Sequence, residues 1–141
     1  MAEPFNSLVD ERESHSSVIE CGEWFVCEVA DIPEGTHRIV EVGGTEIGIF
    51  HRRHRWFAYR NVCPHQGGPV CDGEIMPKVE VVVDAAGVVV AEQFSASVDH
   101  LVCPWHGTEY RLDSGVCSAD PHRPLTSHDV VLRDGGVYVR V

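Results

Sequence analysis

The chain has 141 residues, 43% of them apolar and 23% charged, a composition typical of a single soluble globular domain. Its formal net charge of −11 argues against nucleic acid as a partner, because the phosphates would repel the protein. No apolar run approaches the length of a membrane span, and the N-terminus lacks the basic and apolar regions of a secretion signal. We therefore expect a cytoplasmic protein without a membrane partner.

Residues 1–20 are polar and acidic, which predicts a flexible tail ahead of a single domain over residues 21–141. Beyond the tail, EWFVCEV is rich in aromatic and β-branched residues and predicts a strand. THRIVEV and TEIGIF, joined by the turn Gly43-Gly44, predict a β-hairpin, and RWFAYR predicts a further strand. This pattern indicates an antiparallel meander.

The basic segment HRRH, from His51 to His54, is predicted to be the turn before RWFAYR. Its charges have two interpretations: a solvated hairpin tip, or a docking patch for an acidic partner. The two histidines also resemble metal ligands. No Cys or carboxylate stands beside them at ligand spacing, so we expect no metal site here.

Two valine-rich runs, VEVVV and VVVAEQF, flank the turn Asp84-Ala85-Ala86-Gly87 and predict a β-hairpin over about residues 76–97. The runs are too apolar for a bare sheet edge, so we expect one face to pack on the domain or on another subunit. The preceding VCDGEIMPK is predicted to be a loop. His100, near the end of the next strand, is predicted to be a surface residue.

The C-terminal part continues the same pattern. EYRLD and VCSA predict a hairpin, and Pro121 and Pro124 stiffen the loop that follows it. VVLR and GVYVRV, around Asp134-Gly135, predict the last pair of strands. Short strands, frequent turn signals and no convincing helix indicate an all-β fold.

Two separated segments carry the residues with metal chemistry. Cys63 and His65 have the spacing C-x-H, and Cys103 and His106 have the spacing C-x-x-H. Thiolate and imidazole bind zinc, copper and the iron of iron–sulfur clusters, so the donors alone leave the metal open. Glycines beside both segments allow the backbone to approach a cluster closely.

Both segments, NVCPHQGGPV and LVCPWHGTEYRLDSG, resemble the signature of the Rieske family, which includes Rieske ferredoxins and the Rieske domains of ring-hydroxylating oxygenases. The resemblance covers roughly residues 24–141. It implies an antiparallel β-sandwich, with a cluster-binding part at about residues 61–125, and one 2Fe–2S cluster. By this resemblance Cys63 and Cys103 would bind one iron, and His65 and His106 the other. The segment between the two pairs is about twice as long as is usual in the family, so the hairpin over residues 76–97 is interpreted as an insertion.

The family also suggests which residues surround the cluster. Respiratory Rieske proteins have a disulfide between the cluster loops, but the matching positions here are Gly68 and Trp105, which favours the ferredoxin and oxygenase branch. High-potential members have a Ser and a Tyr that donate hydrogen bonds to cluster sulfurs, and Thr108 and Tyr110 stand at the same offsets. We therefore expect a potential above that of a typical oxygenase-type ferredoxin. Trp105 is interpreted as part of an apolar rim over the cluster, or as a partner contact.

The six cysteines of the chain are more compatible with thiols and metal ligands than with disulfides, because a cytoplasmic location is expected. Cys27, Cys71 and Cys117 are expected to be small buried residues. The sequence does not decide whether Cys71 and Cys117 form a disulfide.

The resemblance implies an electron carrier without catalytic residues of its own. It would take single electrons from a flavin-dependent reductase and pass them to a terminal oxygenase or another oxidoreductase. The chain is too short to include the mononuclear iron domain of a complete oxygenase. The alternative is the small Rieske subunit of a multi-subunit oxidoreductase such as nitrite reductase. A structural zinc site is a third interpretation, and a colourless protein would indicate it.

Overall fold

The computed structural model describes residues 22–65 and 67–141, so the tail predicted at residues 1–20 lies outside the described residues. The chain divides into two compact units. Of the described residues, 22–62 and Thr126–Val141 belong to one unit, and those within Cys63–Leu125 belong to the other. No helix in the described part of the chain is long and apolar enough to cross a membrane.

Ten β-strands account for the regular structure of the described residues, apart from two short 3-10 turns at Val29–Asp31 and Val70–Asp72. The strands are β1 Glu23–Glu28, β2 Thr36–Val42, β3 Thr45–Arg52, β4 Arg55–Arg60, β5 Glu74–Val83, β6 Val89–Val102, β7 Glu109–Arg111, β8 Ser127–His128, β9 Val130–Arg133 and β10 Gly136–Arg140. Every pairing between them is antiparallel. The predicted all-β, antiparallel fold is thereby confirmed.

The first unit contains two sheets, with strand orders β1-β10-β9 and β2-β3-β4-β8. Their alternating apolar residues form one core, in which Ile32, Ile47, Ile49 and Val137 are fully buried. Each such side chain contributes about 1.5–3 kcal/mol by leaving water. The carboxylate of Glu23 on β1 accepts hydrogen bonds from Arg133 and Arg140, at 2.6 Å and 2.9 Å, and so fastens the three-stranded sheet.

The turn between β3 and β4 is shorter than predicted. Strand β3 continues through His51 and Arg52, so only Arg53 and His54 form the turn. Both have positive φ, 55° and 61°, as a two-residue hairpin turn requires but side chains disfavour. The carboxylate of Glu34 accepts their two backbone N–H groups at 2.6 Å and 2.8 Å, which stabilises the strained turn.

The second unit has the strand order β5-β6-β7. The prediction that VCDGEIMPK forms a loop is wrong from Glu74 onward, because Glu74 pairs with Val102 and opens β5. Gly73, immediately before, lies against the carbonyl oxygen of Val102, and a Cβ on Gly73 would be 1.8 Å from that atom. Only glycine therefore fits where β5 begins beside the end of β6.

The hairpin made by β5 and β6 extends away from this pairing, and we call residues 76–97 the hairpin arm. Strand β5 pairs with β6 up to the turn that follows Val83. Eight of its large apolar side chains are 44–66% exposed: Met76, Val79, Val81, Val83, Val88, Val89, Val90 and Phe94. That one face of the arm packs on the domain or on another subunit stays a prediction.

Candidate metal centre

The first of the two Cys–His segments forms a loop closed by its own backbone. The N–H of Cys63 donates to the carbonyl oxygen of Gly68 at 2.7 Å, and the N–H of Gly67 donates back to the carbonyl oxygen of Cys63 at 2.8 Å. Gly67 has a φ of 76°, which lies in the left-handed region that favours glycine. The loop therefore turns sharply just after His65.

The second segment closes in the same way. The N–H of Cys103 donates to the carbonyl oxygen of Thr108 at 2.8 Å, and the N–H of Gly107 donates to the carbonyl oxygen of Cys103 at 2.9 Å. Gly107 has a φ of 71°. Each loop thus begins with a Cys and has a left-handed Gly four residues later. The imidazole stands at the third position of the first loop and at the fourth position of the second.

The two cysteines that open the loops are buried and neighbour each other. Cys63 is 3% exposed and Cys103 is 1% exposed. Burial raises the pKa of the Cys103 thiol, and the adjacent Cys63 raises it further. A cation bound between the two sulfurs would reverse this effect, because coordination deprotonates a thiol. The site therefore offers two sulfur ligands away from water.

The histidines lie closer to the surface than the cysteines do. His65 is half-buried and His106 is exposed. In each loop the cysteine sulfur is therefore buried, and the histidine imidazole lies nearer the surface. An outward imidazole can bind a metal on one ring nitrogen and meet solvent with the other.

Tyr110, on β7, reaches from the second loop to the first. Its hydroxyl oxygen lies 3.0 Å from Cys63 Sγ and 3.0 Å from His65 Nδ1. Burial, with Cys63 as the next cause, raises the pKa of Tyr110, so this side chain keeps its proton at neutral pH. Its hydroxyl group therefore has one proton to donate, with Cys63 Sγ and His65 Nδ1 both within hydrogen-bond distance.

Trp105 and Gly68 are in contact, one from each loop. The indole ring lies so close that a Cβ on Gly68 would be 2.8 Å from the ring atom Cδ2. The outer part of Trp105 is open to solvent, at 56% exposure. These are the two positions that hold the disulfide in the respiratory proteins of the resembled family, so here a ring–backbone contact joins the loops instead.

Thr108 is half-buried beside a cleft of about 770 Å³ in the second unit. The same cleft is lined by His65, His100, Glu109 and Lys78. Thr108 closes the second loop through its backbone carbonyl, as described above. The role of its side-chain hydroxyl stays a prediction.

The prediction that His100 lies on the surface is wrong, because this residue is buried. It is 6% exposed, and its Nδ1–H donates to the carboxylate of Glu109 at 2.7 Å. The two residues meet because β6 pairs with β7, where Val102 faces Glu109. No spacing in the sequence signals this contact, since it depends on the register of two strands.

Three further cysteines and two histidines among the described residues are not part of the two loops, although Cys117 pairs with Tyr110 through an isolated β-bridge. Cys27, Cys71 and Cys117 are buried, as expected, and Cys71 and Cys117 are both present as thiols. In the first unit, the Nδ1–H of His51 donates to the carbonyl oxygen of Ile32 at 2.8 Å. His54 is exposed at the turn that the Glu34 carboxylate stabilises.

Comparisons with known proteins agree on one family. A family model described as the Rieske [2Fe-2S] domain matches residues 22–129. The 3-phenylpropionate/cinnamic acid dioxygenase ferredoxin subunit of Photorhabdus laumondii is 28% identical over 118 residues, which are 83% of this chain and 92% of that protein.

Two solved structures share the fold. A chain of the complex of reduced oxygenase and oxidized ferredoxin in carbazole 1,9a-dioxygenase superimposes with a TM-score of 0.60 at 22% identity, over 84% of this chain and 93% of that chain. The putative NADH-dependent nitrite reductase small subunit from Mycobacterium tuberculosis superimposes with a TM-score of 0.62 at 19% identity, over 84% of this chain and 95% of that chain. At these identities the likeness is one of fold.

The donor set suits a cluster of the Rieske type, in which two thiolates bind one iron and two imidazoles bind the other. Among residues 22–65 and 67–141, no three His, Cys, Asp or Glu side chains are arranged as ligands of a single metal ion. A Rieske cluster requires only two protein ligands at each iron. Two adjacent buried thiols, with an outward imidazole in each of the two matching loops, meet that requirement.

Proposed function

The chain belongs to the Rieske [2Fe-2S] domain family and carries a 2Fe–2S cluster, and from this premise we propose that it is a cytoplasmic ferredoxin passing single electrons from a flavin-dependent reductase to a terminal oxygenase. The single observation that carries this proposal is the pair of equivalent loops, each closed by the same two hydrogen bonds. The similarity to a dioxygenase ferredoxin subunit over 92% of that protein's length supports the choice of an oxygenase as acceptor.

We assign the cluster to Cys63 and Cys103 on one iron and to His65 and His106 on the other. The assignment rests on the position of each residue within its loop and on the division of burial between sulfur and imidazole. When bound, the cluster supplies one-electron chemistry, and its potential is set by net charge, hydrogen bonds to sulfur and exposure. The residues around the cluster determine the net charge, the hydrogen bonds to sulfur and the exposure.

Tyr110 provides the hydrogen bond. Its hydroxyl oxygen lies 3.0 Å from Cys63 Sγ, and a proton donated to that sulfur offsets the negative charge that reduction adds, so it favours the reduced state and raises the potential. Trp105 provides cover, since its ring lies against Gly68 between the two loops. Excluding water there makes the electrostatic effect of the Tyr110 hydroxyl larger.

His106 and His65 provide the exit for the electron. Because His106 is exposed and His65 partly so, a partner protein can approach the imidazole side of the site with little protein between. The net charge of −11 favours partners with a basic docking surface and fast, salt-dependent association. This behaviour suits a carrier that visits two partners in turn.

A second candidate function is the small Rieske subunit of a nitrite reductase or a similar oxidoreductase. The fold similarity to a nitrite reductase small subunit, with a TM-score of 0.62, favours it. The two candidates differ in association: a subunit stays with its large partner, whereas a carrier dissociates between encounters.

The proposal is tested by reconstitution. The purified, cluster-loaded protein replaces the ferredoxin in an assay containing NADH, the flavin-dependent reductase and the terminal oxygenase of a ferredoxin-dependent dioxygenase. We expect oxidation of the aromatic substrate that depends on this protein, and loss of that activity with His106→Ala. His100→Gln is the matched control, because His100 is a buried histidine that we do not assign as a ligand.

Two results would decide against an oxygenase donor. One is reduction of the protein by the reductase without electron transfer to any of several oxygenases that work with their own ferredoxins. The other is purification of the native protein only as a stable complex with a large reductase subunit. The second result would favour the nitrite reductase type of function.

A further inference from the structure

The hairpin arm has one strongly apolar face. Val79, Val81 and Val83 alternate along β5, so their side chains point to the same side of the hairpin. Opposite them on β6, and on the same face, lie Phe94, Glu92 and Val89. The other face carries polar residues, Glu80 and its partner Gln93, beside the pair Val82 and Ala91. Alternation of this kind is typical of a hairpin with one face covered.

We propose that a second copy of this chain covers this face, so that the protein is a homodimer held by its two hairpin arms. The face contains none of the four residues that we assign to the cluster. Glu92 is the single charged residue among the paired positions of the face. Two copies of a chain with a net charge of −11 therefore approach there with less repulsion than a carboxylate-rich face would cause.

The exposed apolar area of the face is a large part of what a standard dimer interface buries. A fully exposed aliphatic side chain offers about 100 Å² of apolar surface, and a phenylalanine about 200 Å². The five apolar side chains of the face, 51–66% exposed, then present roughly 350 Å² in each copy. A standard interface buries about 800 Å² on each partner, of which about 65% is apolar in homodimers. The face therefore supplies about two thirds of the apolar area of such an interface.

A permanent partner fits this surface better than a transient one. A two-stranded hairpin alone is marginally stable in water and needs a third strand or a cover for its apolar face. A redox partner that leaves after each electron would expose that face again in every cycle, and transient redox encounters use small interfaces. A second copy has the same apolar face to offer and is always present.

The position of the arm leaves the cluster loops accessible in such a dimer. Glu74 pairs with Val102, next to Cys103, whereas the apolar face begins at the pair Val79–Phe94. At about 3.3 Å per residue, Val79 lies roughly 16 Å along β5 from that pairing, and Val83 roughly 30 Å. Val79, at the inner end of the face, lines the cleft beside His65, whereas Val81 and Val83 do not. Contacts made by the outer part of the arm therefore do not require the imidazole side of the site.

The test is the molar mass of the cluster-loaded full-length protein by sedimentation equilibrium over a range of concentrations. We expect a mass of twice the 15.6 kDa of one chain. Phe94→Glu places a charge in the apolar face and should raise the dimer dissociation constant by at least roughly 30-fold, the loss typical when a hot-spot residue of an interface is removed. Gln93→Glu is the matched control, since it adds the same charge to the opposite face and should leave the dimer intact.

Cluster absorbance, unchanged in both variants, verifies that each is folded. A wild-type monomer at all concentrations, or a Phe94→Glu variant that keeps the dimer mass, overturns the proposal. A wild-type monomer that self-associates only after deletion of residues 1–21 would show that this segment covers the arm. A monomer that binds stably only to a different protein would assign the arm to that protein. Either of these two outcomes also overturns the homodimer.

Discussion

At the scale of single residues, Tyr110 connects the two loops of the site through one hydroxyl group, which lies 3.0 Å from Cys63 Sγ. Replacing Tyr110 with Phe removes the hydroxyl and leaves the ring. We expect the reduction potential to fall by roughly 30–60 mV, which corresponds to roughly 0.7–1.4 kcal/mol of lost preference for the reduced state. A redox titration followed by visible absorption measures this change.

Tyr59→Phe is the matched control, because Tyr59 is a buried tyrosine of the other unit. Removal of the Tyr59 hydroxyl should leave the reduction potential unchanged. Thr108→Val tests the second predicted donor by replacing a hydroxyl with a methyl group of similar size, and a smaller fall in potential is expected. If the potential stays at the wild-type value in both Tyr110→Phe and Thr108→Val, hydrogen bonds from these residues do not set it.

The residues that could be predicted from the sequence are those whose chemistry is local. Cys63 and His65 became candidates through their spacing and its resemblance to the Rieske signature, because both residues lie in one short loop. The contacts of His100 and Glu34 could not be predicted, since each residue binds a partner from another element. His100 binds Glu109 on the neighbouring strand, and Glu34 binds the backbone of His54, 20 residues along the chain. Only the strand register brings such pairs together.

At the scale of elements, the two cluster loops depend on a glycine in the left-handed conformation. Gly107 has a φ of 71° and open space around the position of a Cβ, so an alanine there meets strain but no clash. Gly107→Ala should cost about 1–2 kcal/mol of unfolding free energy. It should also lower the iron bound per chain, because relief of the strain displaces the neighbouring ligand His106.

Gly44→Ala is the control for this prediction. Gly44 has a φ of 83°, equally open space, and a place in the β2–β3 turn of the other unit. The Gly44→Ala variant should lose a similar unfolding free energy, measured by chemical denaturation, and keep the full iron content of the wild type. Equal iron in both variants would show that the glycine conformation does not position the ligands.

A second element-scale prediction concerns the sheet β1-β10-β9. Arg133, followed by Arg140, holds the pKa of the Glu23 carboxyl below its ordinary value of 4.5. As the pH falls, the unfolded chain takes up the proton first, so stability present at neutral pH is lost below about pH 4.5. In Glu23→Gln the unfolding free energy should decline less steeply between about pH 5 and pH 3.

Denaturant unfolding at a series of pH values measures that slope. Glu74→Gln, a change at an exposed carboxylate of the second unit, should keep the wild-type slope. Parallel curves for the wild type and Glu23→Gln would mean that the two arginines do not stabilise the sheet through this carboxylate.

Strand identities were predictable wherever apolar and polar residues alternate between clear turns. THRIVEV and RWFAYR coincide with β2 and β4 for this reason. The start of β5 was not predictable, because Pro77 and Gly73 are typical of a loop. Pro77 is tolerated in β5 since this strand is at the edge of its sheet, and Gly73 is required by the close approach of Val102.

At the scale of the whole molecule, one unit, Cys63–Leu125, includes both cluster loops and the hairpin arm. The family match over residues 22–129 explains the two loops. We interpret the arm as an addition between them, and the proposed homodimer would cover its exposed face. No pattern in the sequence could decide between the domain and a second subunit as its cover, because both demand the same apolar alternation.

We propose that Cys63, His65, Cys103 and His106 hold a 2Fe–2S cluster with mixed sulfur and imidazole ligation. The most direct test is the low-temperature EPR spectrum of the chemically reduced protein, with iron and sulfide counted in the same sample. We predict two irons and two sulfides per chain and a rhombic signal of the Rieske type. The signal should be lost in His106→Ala and retained in His100→Gln. A colourless protein that binds zinc, or an unchanged signal in His106→Ala, would contradict the claim.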